Sequence, residues 1–171
     1  SDAQLELGVL YMNGEGVRQD YAEAFKWFKL SADQGDSGAQ FMLGRMYRNG
    51  EGVRQDYAEA FKWLKLSADQ GHSDAQLELG VLYMNGEGVR QDYAEAFKWF
   101  KLSADQGDSG AQFMLGRMYR NGEGVRQDYA EAFKWLKLSA DQGNSDAQLY
   151  VGTLYISGEG VRQDYAEAFK W

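Results

Sequence analysis

His72 is the only histidine in the sequence, and there is no cysteine. A histidine-pair metal site, a thiolate zinc site and a Cys–His nucleophile are therefore all beyond this chain. Carboxylates are plentiful, 26 in all, but acid–base work by two of them needs a pair whose environments hold their pKa values apart. Here every acidic grouping returns at a spacing of 36 or 72 residues, which yields equivalent copies rather than one uneven pair. His72 falls in a turn where the other copies place Asp36, Asp108 and Asn144, so it reads as a turn substituent and not as a base. Gly14-Glu15-Gly16 has the glycines of a phosphate loop without its Gly-Lys-Ser/Thr ending or a preceding strand. Asp33-Gln34-Gly35-Asp36-Ser37-Gly38 lacks the alternating acids and closing glutamate of a calcium loop. No catalysis, cofactor or metal is expected.

What remains is the chemistry of recognition. Arginine suits bidentate contact with carboxylates, and methionine suits adaptable apolar contact. The elements that position these side chains are repeats. Residues 1–72 and 73–144 are identical except at the last position, His72 against Asn144, and Gly14–Trp27 recurs unchanged five times, last as Gly158–Trp171. A fixed period of 36 residues marks a stacked architecture in which each unit leans on its neighbours. The units are 1–36, 37–72, 73–108, 109–144 and a shorter 145–171, forming one array. The sequence stops inside a predicted helix, the pattern of a piece of something longer.

Within residues 1–36, Ser1-Asp2-Ala3-Gln4 predicts a capping box at one helix start. Asp20-Tyr21-Ala22-Glu23 predicts an acidic N-cap at a second. Gly14 and Gly35 stand where helices should end. Each unit is thus two helices, about 3–13 and 21–34, and the whole is all-α with ten helices. On the second helix Ala24, Trp27, Phe28 and Ser31 form the buried stripe, widened by Tyr21, Phe25 and Ala32. Gly8 interrupts the first helix at about 1 kcal/mol relative to alanine. Its return as Gly44, Gly80, Gly116 and Gly152 predicts close helix–helix approach.

With Ala3, Leu7-Gly8, Tyr11, Gly14, Gly16-Val17, Asp20, Ala24, Trp27, Ala32 and Gly35 in a 36-residue unit, the chain resembles the Sel-one-like repeat family, relatives of the tetratricopeptide repeat. Ser31 departs from the small apolar residue usual there, and the cysteine pair of the secreted branch is absent. The resemblance implies a right-handed α-solenoid of antiparallel helix pairs with first helices on the concave side. It also implies adaptors that hold other proteins together.

The copies differ mainly on the first helix. At 100° per residue, unit positions 2, 5, 6, 9, 12 and 13 fall in one arc of about 120°. Unvarying Ala3, Gln4, Gly8 and Tyr11 lie opposite, and positions 7 and 10 change only among Leu, Val and Met. This arc defines the candidate partner-binding surface. It comprises Glu6, Val9, Met12 and Asn13, repeated as Glu78, Val81, Met84 and Asn85. It continues with Met42, Arg45, Arg48 and Asn49, repeated as Met114, Arg117, Arg120 and Asn121, and the fifth unit brings Tyr150, Thr153 and Ile156. Such a surface fits a protein or peptide with acidic and apolar side chains. Arg45 and Arg117 could instead pair with Glu6, Glu78 or another acid on an adjacent first helix, at about 0–1 kcal/mol per exposed pair.

A formal charge of −8 argues against a sequence-independent grip on nucleic acid phosphates, and no apolar run reaches the roughly 18 residues that span a bilayer. Repeat arrays need polar outer faces on their terminal units, and no distinct cap is present. Head-to-tail self-association through uncapped ends is expected on that ground, and a structural or engineered array is the alternative to an adaptor.

Overall fold

The computed structural model describes residues 2–171. Ten α-helices and no strand are found among them, as the repeat pattern predicts: α1 (Asp2–Asn13), α2 (Tyr21–Ala32), α3 (Ser37–Asn49), α4 (Tyr57–Asp69), α5 (Ser73–Asn85), α6 (Tyr93–Asp105), α7 (Ser109–Asn121), α8 (Tyr129–Asp141), α9 (Ser145–Ser157) and α10 (Tyr165–Ala168). They fall into two compact units, one ending at Gln91 and the other starting at Asp92.

The second helices start where the acidic caps predict. The Asp20 carboxylate accepts the Ala22 and Glu23 backbone N–H groups at 2.9 and 3.0 Å, which satisfies two donors that a helix start leaves without partners. The first helices start differently from the sequence reading. Ser37 is already the first helical residue, and the cap is Asp36, whose carboxylate accepts from the Ala39 N–H at 2.8 Å. The expected capping box is therefore not used in α3: the helix starts one residue earlier, and the Gln40 N–H that the serine hydroxyl would have reached is bonded to the Asp36 carbonyl at 3.0 Å. Ser1 of the first copy lies outside the described residues. In α5 the same cap position is held by His72, whose Nδ1 accepts from Ala75 N–H at 3.4 Å, and in α9 by Asn144 at 3.0 Å from Ala147.

Released from the capping role, Gln40 is buried and spans elements. Its side-chain amide donates to the Ala32 carbonyl of α2 at 3.2 Å, and its oxygen accepts from Gln70 at 2.8 Å. Gln112 is held in the same way by Ala104 at 3.4 Å and Gln142 at 2.8 Å. The buried serines have a similar use: Ser67 and Ser139 donate to the carbonyls of Ser37 and Ser109, each at 2.7 Å. A small apolar residue at that position would lose this bond between the two helices of a unit.

The glycine stops behave as predicted. Gly50 adopts φ 75° and donates to the Met46 carbonyl at 2.8 Å, the left-handed helix ending that glycine adopts without a Cβ penalty. Helix α2 ends at Ala32 rather than position 34, since Gln34 N–H bonds Ser31 at 3.0 Å in a tighter turn.

Packing follows the buried stripe with one correction. Ala24, Phe28 and Ala32 join Ala39, Leu43, Met46 and Trp63 in one core cluster of the first unit, and Leu136, Ala140, Ala147, Val151 and Leu154 form one in the second. Tyr21, expected in the stripe, is 39% exposed. It is the first residue of its helix, and its hydroxyl accepts from the Gln19 side chain at 3.1 Å, which ties the ring to the turn. The close approach expected at Gly8 is present: a Cβ there would lie 2.5 Å from the Phe28 ring, and one on Gly116 would lie 2.4 Å from Leu136.

Candidate partner-binding face

The arc of variable residues is the solvent side of α1, α3 and α5 in the first unit and of α7 and α9 in the second. Its orientation follows from what is buried opposite. Ala39, Leu43 and Met46 of α3, and Ala111, Leu115 and Met118 of α7, are at most 1% exposed, so the remaining side of each helix faces outward. Glu6, Asn13, Arg45, Asn49, Asn85, Asn121, Thr153 and Ile156 are exposed. Val9, Met12, Met42, Arg48, Glu78, Val81, Met84, Met114, Arg117, Arg120 and Tyr150 are half-buried. Val9, Met12 and Met42 also pack against the core of their unit, so these apolar members anchor the helices as well as line the surface.

The asparagines are drawn into the turns. Asn13, Asn49, Asn85 and Asn121 donate to Glu15, Glu51, Glu87 and Glu123 at 2.9, 3.2, 2.9 and 3.4 Å. Thr153 bonds back to the Leu149 carbonyl of its own helix at 2.9 Å.

The four arginines divide into two kinds. Arg48 is bound on two sides, by Glu78 of α5 and through Nε by Glu87 at 3.2 Å. Arg120, its copy in the second unit, meets Glu159 at 3.3 Å and lies over the Tyr150 ring, 5.5 Å from its centroid. Arg45 and Arg117 form no ion pair among the described residues. Each rests on an aromatic ring of its own helix instead, Phe41 at 5.7 Å and Phe113 at 5.8 Å, a cation–π geometry that holds the guanidinium plane in place. Phe41 in turn stacks on His72, with centroids 4.9 Å apart, whereas Phe113 meets Tyr150 edge-on at 5.6 Å.

Sequence reasoning missed Glu87 and Glu159. Both are the central residue of the Gly-Glu-Gly turn, 39 positions after their arginines, and a unit-by-unit reading assigns that turn only to backbone conformation. Beside Thr153 and Ile156 runs a shallow groove of about 240 Å³, completed by Gln148, Leu149, Gly152 and Trp171. Among the described residues no three His, Asp or Glu side chains are arranged to hold a metal ion, and no helix is long and apolar enough to cross a membrane.

The Sel1 repeat family model matches residues 1–36, 37–72, 73–108, 109–144 and 145–171, which are the units read from the sequence. No curated protein is similar to the chain at a significant level. Among solved structures, a protective antigen of uropathogenic Escherichia coli strains displaying an SLR fold is 42% identical, with TM-score 0.95, over 98% of this chain and 36% of the other. The chain therefore spans about a third of that protein's length. A Sel1 repeat protein from Oxalobacter formigenes is 34% identical with TM-score 0.93 over 99% of this chain and 70% of its own. Helicobacter pylori cysteine-rich protein B, 21% identical with TM-score 0.59 over 78% of this chain and 96% of the other, shares the fold alone. With every unit matched and two solved structures above 30% identity, the chain belongs to the Sel1 repeat family.

Proposed function

We propose that the chain is a non-catalytic scaffold that binds a protein or peptide partner on the variable face of its first helices. Sel1 repeat proteins are generally protein-interaction scaffolds; the choice of face is the finer step. The observation that carries it is the division of each first helix into a constant buried side and a variable outward side. Ala39 and Ala111 are 0% exposed and unchanged, while Glu6, Met42 and Tyr150 occupy one outward position with three different chemistries. Packing fixes the first pattern, whereas the second varies among side chains that line the surface as well as touch the core. The partner expected from Arg45, Met42, Arg117 and Met114 carries acidic and apolar side chains. The test is selection of binding peptides from a random library with the full chain, followed by mapping with Met42→Asp and Met114→Asp. Loss of binding in these variants supports the face; retention rejects it.

A second reading, end-to-end association of chains, is favoured by one observation. Gly52 and Gly160 seat their turns against the Tyr21 and Tyr129 carbonyls, whereas Gly16 has nothing within 4 Å of where its Cβ would lie. A preceding repeat, of the same chain or of a second copy, fits that open seat. Light scattering over a hundredfold dilution tests it, and a constant monomer mass rejects it.

A further inference from the structure

Arg45 and Arg117 are copies of one another, yet their surroundings differ because the fifth unit departs from the third. At the position of Glu78 the fifth unit has Tyr150. In the first unit, Glu78 and Glu87 both bind Arg48. In the second unit its copy Arg120 meets Glu159 alone. Tyr150 fills the vacated place with an aromatic wall, edge-on to Phe113 at 5.6 Å and 5.5 Å from the Arg120 guanidinium. Arg117 lies over Phe113 at 5.8 Å, and its Nε is buried with no hydrogen-bond partner. That Nε lies out of reach of an incoming ligand, but the rest of the half-buried guanidinium has an aromatic support and no ion pair among the described residues, and the acceptor it fits best is a carboxylate.

We infer that Arg117, walled by Phe113 and Tyr150, is a subsite on the α7–α9 face for an internal Asp or Glu side chain of a bound peptide. This rests on the proposal that the first-helix face binds a partner and adds to it the chemistry recognised and the residue that recognises it. Arg48 and Arg120 are satisfied within the protein and hold adjacent elements together. Stacking on Phe113 restricts the guanidinium before binding, so less freedom is lost when the carboxylate arrives. The fifth unit thus removes one carboxylate from beside the arginines, by exchanging a single glutamate for tyrosine.

The exchange also supplies the test, because Tyr150→Glu installs the side chain that the first unit already accommodates. A phage-displayed random twelve-residue library is panned against the full chain. Recovered peptides are synthesised with blocked ends and measured by fluorescence anisotropy. The inference expects a shared acidic residue whose Glu→Gln or Asp→Asn exchange weakens binding about tenfold to the wild type and leaves binding to Arg117→Ala unchanged. It expects Tyr150→Glu to weaken the acidic peptides about tenfold with its helical circular dichroism intact. Peptides that lose binding to Met114→Asp but are indifferent to their own acid and to Arg117→Ala overturn the subsite and leave the face standing. Peptides indifferent to both Met42→Asp and Met114→Asp, or a library that yields no binder above a blank surface, overturn the face and the subsite together.

Discussion

Gly52 sits directly against the Tyr21 carbonyl: a Cβ on Gly52 would lie 2.2 Å from that oxygen. The contact joins the turn of one repeat to the start of the second helix of the repeat before it, and Gly88, Gly124 and Gly160 repeat it on Tyr57, Tyr93 and Tyr129 at 2.0, 2.1 and 1.9 Å. Gly16 has the same backbone conformation, φ 73° against 68°, with open space around it. Gly16→Ala should therefore cost only the left-handed backbone penalty, about 1–2 kcal/mol. Gly52→Ala adds a backbone clash, and overpacking of this kind contributes a further 1–3 kcal/mol or about that. Urea denaturation of the two variants should show the larger loss of midpoint for Gly52→Ala. Equal losses would mean that the turns do not bear on each other.

Gln40 predicts a second asymmetry. Its replacement by leucine removes the bonds to the Ala32 carbonyl and the Gln70 amide, which keep Gly35 N–H and the Leu66 carbonyl as partners. Each lost bond costs about 0.5–1.5 kcal/mol, so thermal unfolding of Gln40→Leu should fall by several degrees. Gln148→Leu, at a half-buried copy that also bonds a preceding carbonyl, Ala140 at 3.3 Å, should fall less.

Two tyrosines set the alkaline limit. Burial raises the phenol pKa of Tyr47 and Tyr119 above the ordinary value of 10, and the charges of Glu59 and Glu131 act in the same direction. The folded state keeps these protons longer than the unfolded chain does. Their contribution is therefore complete below pH 10 and is lost as pH rises from 10 through the folded-state values. Guanidinium midpoints measured from pH 8 to 11 should decline above pH 10, and Tyr47→Phe with Tyr119→Phe should flatten that decline.

Arg48 and Arg45 should separate in stability as they do in geometry. Arg48, only a quarter exposed, joins α3 to Glu78 and Glu87, so Arg48→Met should cost about 1 kcal/mol at low salt and less at high salt. Arg45→Met removes no ion pair, and its denaturation midpoint should stay within about 0.5 kcal/mol of the wild type.

The helices were legible because their signals are local. Asp20 and the glycine stops act within one turn of chain, and the 36-residue period marked Gly8 as a packing position before Phe28 was seen against it. What was illegible depends on partners distant in sequence. Ser1-Asp2-Ala3-Gln4 was read as a box, but in the copy at Ser37 the helix already starts from Asp36, and Gln40 is spent on a carbonyl of the preceding helix. The variable arc was readable from helical geometry, yet the split between satisfied Arg48 and unpaired Arg117 turned on Glu87, Glu159 and the Glu78-to-Tyr150 exchange, all on other elements.

The central claim is that recognition belongs to the outward side of the first helices. It is tested most directly by the affinity of one library-selected peptide for two multiple variants of the full chain. One carries Met42→Asp, Met114→Asp and Arg117→Ala. The other carries Leu30→Ala, Leu66→Ala, Leu102→Ala and Leu138→Ala, on second-helix leucines that are 42–48% exposed. The account predicts at least about a hundredfold loss in the first, which is roughly 2.8 kcal/mol, and an unchanged affinity in the second. Loss confined to the leucine variant would contradict it.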